Sequence, residues 1–151
     1  MRARSEAPSQ AEILLAPGAR IRLLSRRIGE DAVAAWCAEL LSGEVVANDR
    51  DHPSLKWLGG QSAASGQGRD YWSRVWGARG LLYAWTPSAE PAVLGGLHDP
   101  AWRVREMCAK VVRRRELRRA EPVLAHLLDD PVPRVRAAAE SALTVSARSR
   151  V

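Results

Sequence analysis

Tryptophan and arginine are the side chains with the most chemistry to offer in this sequence, which holds six Trp and, among its 23 basic residues, only Lys56 and Lys110 that are not Arg. Trp72, Trp76 and Arg79 recur at helical spacing, and Trp102 and Arg103 are adjacent in a later segment. Trp36 fits a buried stripe. Trp72, Trp76, Trp85 and Trp102 are too many large rings for a core otherwise made of Ala, Val and Leu, and Trp and Arg are the residues that most often carry binding energy at an interface. Trp72, Trp76, Arg79, Trp102 and Arg103 are therefore the expected contacts for a protein or peptide partner.

The charge is uneven. Between Ala101 and Arg119 there are eight bases and two acids, so the whole formal excess of +6 lies in this one segment and the rest of the chain is neutral. Val104, Cys108, Val111 and Val112 claim one helical face for the core, which leaves Arg103, Glu106, Lys110, Arg113 and Arg114 on solvated faces. Arg113, Arg114, Arg115, Arg118 and Arg119 fall at a helix end, where the macrodipole favours cations. They are also the alternative set, for nucleic acid, since local positive charge with interleaved Trp is what a phosphate-tracking surface needs. Only one segment carries such a row, so that binding is expected to be weak and non-specific.

No arrangement of residues reads as catalytic. His52, His98 and His126 stand alone, without His-x-x-x-His or a Cys pair at metal spacing, and there is no phosphate-binding Gly-rich motif. No metal or cofactor is expected. Cys37 and Cys108 each fall inside an apolar helical pattern and read as small buried residues.

The elements that must position these side chains are helices. With 151 residues, 46% apolar and 26% charged, the chain can form one globular domain with a core of its own. No apolar run approaches the roughly 20 residues of a membrane span, and no export signal precedes Pro17-Gly18, so a cytoplasmic location is expected. Residues 1–10 read as a disordered tail, 11–58 as an N-terminal helical segment, 59–69 as a flexible Gly/Ser loop, 70–145 as repeats and 146–151 as a second tail. Pro17-Gly18 reads as a break after a short helical turn. The first clear helix runs from about Ile28 to Leu41, with Val33, Trp36, Cys37, Leu40 and Leu41 on one face and Gly43 as its stop. A second, led by Asp70, runs to about Trp85.

Beyond Pro87 the sequence repeats. A shift of 31 places Glu90-Pro91 over Glu121-Pro122, Leu97 over Leu128, Asp99-Pro100 over Asp130-Pro131, and Arg103-Val104-Arg105 over Arg134-Val135-Arg136. Each unit reads as a short helix, an Asp-Pro turn and a longer helix. Asp99 and Asp130 can cap exposed amides, with Pro100 and Pro131 at the first helical position. On the cap alone, Asp130→Ala costs about 0.5–2 kcal/mol. A shift of 30 brings Trp72 over Trp102, making the Asp70-led helix the second helix of an earlier unit, with the Ile28 to Leu41 helix as its first.

An aspartate in the turn followed six residues later by an arginine, as in Asp99/Arg105 and Asp130/Arg136, resembles the HEAT-like repeat family, of the kind also found in phycobilin lyases. The resemblance is strongest over residues 89–145. It implies an all-α fold, a short right-handed α-solenoid of helical hairpins. It also implies that Asp99, Arg105, Asp130 and Arg136 are structural, forming hydrogen-bonded ladders between units. A scaffold that binds other proteins and has no catalytic role is the function expected. Some HEAT-like proteins are alkylpurine DNA glycosylases; this chain is similar to them in composition only, and no catalytic role carries over onto Asp70, Tyr71 or Trp72.

Overall fold

The computed structural model describes residues 7–45, 51–64 and 70–149, and among these every regular element is helical, with no strand. The expected N-terminal tail as far as residue 6, the turn at 46–50, the loop at 65–69 and the last two residues lie outside the described residues.

The N-terminal segment differs from its expected form. Ser9-x-x-Glu12 closes a capping box that starts α1, Gln10–Ile13. Pro17 does not break the chain: it opens α2, Pro17–Ile28, from the first helical turn, where its missing N–H costs nothing. Ile21 and Leu24 of α2 are fully buried. Helix α3, Glu30–Ser42, follows directly and buries Val33, Trp36, Cys37, Leu40 and Leu41. Gly43, at φ 79°, ends it in the left-handed region that a glycine enters without strain.

Gly59 to Ala64, expected as loop, is mostly helical. α4, Lys56–Gly59, is separated by Gly60 from α5, Gln61–Ala64. α4 packs between α2 and α6, Trp72–Gly80, with Trp57 and Leu58 fully buried. Asp70 neither leads nor caps α6: Tyr71 holds the cap position, without a side-chain bond, and Asp70 is exposed. The helix ends near Gly80, in successive turns, before Trp85.

The rest is two hairpins. α7, Glu90–Gly96, pairs with α8, Trp102–Arg115, and α9, Glu121–Leu127, with α10, Pro133–Arg148. Pro91 and Pro122 stand in the first turns of α7 and α9. α3 packs on α6 and α7, α6 on α8 and α8 on α10, which makes a short α-solenoid with α3 in the first layer. α10 continues past 145, where a tail was expected, because Ser146 bonds Glu121 and keeps that turn against α9.

Two ion pairs fix the register of the first unit. Arg74 grips Asp99 as Arg105 grips Asp130, each with a sequence separation of 25. Arg74 is thus equivalent to Arg105, the shift is 31, and the shift of 30 suggested by Trp72 and Trp102 is wrong by one. The 31-residue register also aligns Gly77, Cys108 and Ala139, all buried. Matching ring to ring misled because the two rings are not equivalent; the small buried positions are.

Close approach explains Gly77 and Gly80 of α6 and Gly96 of α7. A methyl group on Gly80 would overlap the Cys37 sulfur, and one on Gly96 would overlap Cys108. Gly80→Ala is expected to cost about 1–3 kcal/mol through overpacking, and Cys37→Ala in the same chain to recover most of that by vacating the space. Urea unfolding of both single variants and the double checks this. Purely additive losses would show that Cys37 is not what excludes the methyl group.

Candidate interaction surface

The turns preceding α8 and α10 share one design. Asp99 accepts from the Ala101 N–H at 2.8 Å, and Asp130 from the Val132 N–H at 2.9 Å. These are turns two residues long that precede the helices, so Pro100 and Pro131 lie outside α8 and α10, not at their first positions as the sequence suggested. The freed carboxylate edges face the preceding unit. Arg74 donates Nε and Nη2 to Asp99 at 2.8 and 3.1 Å, and Arg105 does the same to Asp130 at 2.9 and 3.1 Å. Arg105 also reaches the Asp99 carbonyl with Nη1 at 2.9 Å, and Arg136 reaches that of Asp130 at 2.6 Å. Burial pushes the Asp130 carboxyl up, but the bonds from Arg105 and Val132 outweigh it and hold the group below its usual value.

The second helices start beside this ladder, which brings Trp72, Trp102 and Arg103 together. The Arg103 guanidinium lies 4.3 Å from the Trp102 ring centroid and 5.4 Å from that of Trp72, and Arg134 reaches Trp102 at 5.5 Å. Tyr71 packs on Trp72 with centroids 5.3 Å apart. All four of Tyr71, Trp72, Trp102 and Arg103 remain partly exposed. Tyr71, Trp102 and Arg103 line an open groove of about 540 Å³ together with Asp70, Arg74, Pro100 and Ala101, while Trp72 stands behind Tyr71 and beside Arg103 without lining it.

Two expected contacts do not belong to this surface. Trp76 is 6% exposed, stacked under Trp72 and against Gly59. Arg79 turns the other way, donating to the Leu58 carbonyl beside Arg20, and burial lowers its pKa. Helical spacing placed both on the stripe of Trp72, but α4 covers that part of α6.

The basic segment divides as well. Arg113, Arg114, Arg118 and Arg119 are exposed. Arg115 is not a free cation of that set: it donates to the Leu81 carbonyl at 3.0 Å, lies over Trp85 at 5.3 Å, and burial lowers its pKa. Glu106, expected on a solvated face, is 7% exposed and receives Lys110 at 3.1 Å and Arg134 at 3.0 Å. Its equivalent in the next unit is Ala137, so no repeat signal marked it.

A family model for HEAT repeats matches residues 64–144. The chain belongs to the HEAT-repeat family. HEAT repeats commonly mediate protein–protein interaction, and the Asp-Arg ladder and paired helices of this member are where the match falls. Neither the curated proteins nor the solved structures hold a match to it.

The remaining reactive groups are enclosed or scattered. Burial pushes the Cys37 thiol up to about 12. It raises Cys108 further, with Asp99 adding to the effect. His98 and His126 are exposed, and His52 lies 3.1 Å from Glu39. Among the described residues no three His, Cys, Asp or Glu side chains are grouped to hold a metal ion, and no helix is long and apolar enough to cross a membrane.

Sequence reasoning missed Arg20, which is 3% exposed and donates to four backbone carbonyls, those of Ile13, Leu15, Trp57 and Leu58. A signal existed: Arg20 stands four residues before Leu24, on the apolar stripe of α2.

Proposed function

We propose that this HEAT-repeat protein is a non-catalytic cytoplasmic scaffold that binds a protein or peptide segment in the groove between the starts of α6 and α8. Arg103 carries the reading. Its guanidinium is fixed between two partly exposed indoles, while no hydrogen bond or ion pair to a described residue uses its N–H donors. A rigid cation framed by aromatic rings at a groove is the composition of an interface hot spot, and Trp72 and Trp102 add apolar area beside it. Arg74 contributes shape alone, since Asp99 already holds its charge.

Nucleic acid is the second reading, and the placement of the cations disfavours it. Arg113, Arg114, Arg118 and Arg119 gather at the C-terminal end of α8 or beyond, whereas Trp102 is its first residue. At 1.5 Å per residue the two ends of this helix are about 20 Å apart, so these exposed arginines do not interleave with Trp72 and Trp102, while Trp85, partly exposed near their end, already has Arg115 over its ring.

The test is affinity capture from a lysate with the intact chain and with Trp102→Ala and Arg103→Ala variants of equal melting temperature. A stoichiometric protein is expected, with retention weakened by about 30-fold or more, the effect of losing a hot spot worth about 2 kcal/mol. A partner held equally well by both variants moves the site elsewhere. Recovery of nucleic acid lost on substituting Arg113 and Arg114 reverses the order of the two readings.

A further inference from the structure

The 31-residue register sets one stripe on three successive second helices: Arg74, Ala78 and Leu81 along α6 and its end, Arg105, Ala109 and Val112 on α8, and Arg136, Glu140 and Leu143 on α10. In the first two units the stripe is covered. Ala78, Leu81 and Ala109 are fully buried, Val112 is 3% exposed, and Arg74 and Arg105 are occupied by an aspartate of the following unit. On α10, Arg136 and Glu140 are exposed and Leu143 is partly so. Leu128 is 41% exposed, whereas Leu97, its equivalent, is 1% exposed.

Arg136 is nevertheless held in the manner of Arg105. Its Nη1 donates to the Asp130 carbonyl at 2.6 Å, as the Nη1 of Arg105 donates to that of Asp99 at 2.9 Å. In Arg105 this bond leaves Nε and Nη2 pointing at a carboxylate. The same edge of Arg136 has no partner among the described residues. The third unit also departs from the register at one position, where Ala78 and Ala109 give way to Glu140. A further unit of the same kind would press on a carboxylate where its forerunners meet a methyl group.

A second copy related by a twofold axis meets no such conflict. In an isologous contact, residue i of one protomer touches j of the other and j touches i. Arg136 and Glu140 stand one helical turn apart on one face, with opposite charges. We propose that this face of α10 docks on the same face of a second copy, with Arg136 of each protomer donating to Glu140 of the other and Leu128 and Leu143 in the seam. One helix face buries less than the roughly 1,200–2,000 Å² of a standard stable interface, so the dimer dissociates on dilution.

Sedimentation velocity of the full chain, from low micromolar to several hundred micromolar, tests this. Reversible monomer–dimer exchange is expected. Arg136→Glu and Glu140→Arg should each weaken it by about tenfold, since like charges then face each other, and the double reversal should restore it. Glu140→Arg breaks no described side-chain bond and keeps the test valid if Arg136→Glu fails to fold. Trp102→Ala should leave the dimer unchanged, so the groove reading and this one can fail separately. A monomer at every concentration, a dimer indifferent to both reversals, or a double reversal that stays monomeric overturns the proposal.

Discussion

Replacing Arg20 with methionine is expected to lower the unfolding free energy by about 3–5 kcal/mol, from the loss of several hydrogen bonds of a charged donor, each worth about 1.5–3 kcal/mol, partly offset. The stem length is kept, so packing changes little; what is lost is five donors. Nε donates to the Trp57 carbonyl at 2.8 Å, Nη1 to those of Ile13 and Leu15 at 3.1 and 2.7 Å, and Nη2 to that of Leu58 at 3.1 Å. All four carbonyls lie in or just after α1 and in α4, near helix ends that leave acceptors without intrahelical partners. The buried Trp57 carbonyl loses this donor at about 1–3 kcal/mol, the part-buried carbonyls of Ile13 and Leu15 lose theirs at less, and the Leu58 carbonyl keeps Arg79. Relief of desolvating the guanidinium offsets part of the sum, because burial, with Arg79 nearby, already disfavours its charge. Arg20→Lys should lose nearly as much, since a compact ammonium cannot span four carbonyls in a planar fork. Urea unfolding followed by Trp fluorescence gives the number. A loss below about 1 kcal/mol would mean that water satisfies these carbonyls as well as the arginine does.

The contrast between Arg20 and the repeat arginines shows where sequence is informative. Arg105 and Asp130 recur at a fixed spacing because stacked units face the same packing problem twice, so periodicity exposes them. Arg20 solves a problem that arises once, where α1, α2 and α4 meet, and leaves no repeat. The same reasoning covers α2 itself: Pro17-Gly18 has the composition of a turn, and only the packing of Gly18 against Tyr83 shows why glycine stands inside a helix there. Of the five expected contacts, Trp102 and Arg103 line one groove with Trp72 beside Arg103, because all three lie in the first turn of a second helix. Trp76 and Arg79 sit one and two turns further along α6, where α4 packs. Leu55, Trp57 and Leu58 make a brief apolar patch at α4, but a run so short does not announce which helix face it covers. The first unit was visible in outline through α3 and α6. Its register was not, because Trp72 and Trp102 offered a conspicuous match one residue away from the structural one.

Asp130→Ala should cost about 3–5 kcal/mol, above the 0.5–2 kcal/mol of a lost cap. The structure raises the figure because the side chain does two things at once. It accepts from the Val132 N–H, as a cap does, and it takes both Nε and Nη2 of Arg105, in a pair where the aspartate side chain is 5% exposed and the arginine 16%. Removing it strands that guanidinium against only the Asp99 and Pro100 carbonyls. A double-mutant cycle with Arg105→Met separates the two parts: the cap loss persists when Arg105 is absent, and the pair loss does not. The pH dependence gives an independent reading. The folded carboxyl is held below its ordinary value although burial opposes this, so its stabilisation is complete above the unfolded pKa of about 3.9 and fades as pH falls through the lower, folded one. The stability gap between the natural chain and Asp130→Asn should therefore be constant from neutral pH to about 5 and shrink below about 4. A gap that stays the same to lower pH would show that the hydrogen-bonding shape of Asp130 matters and its charge does not.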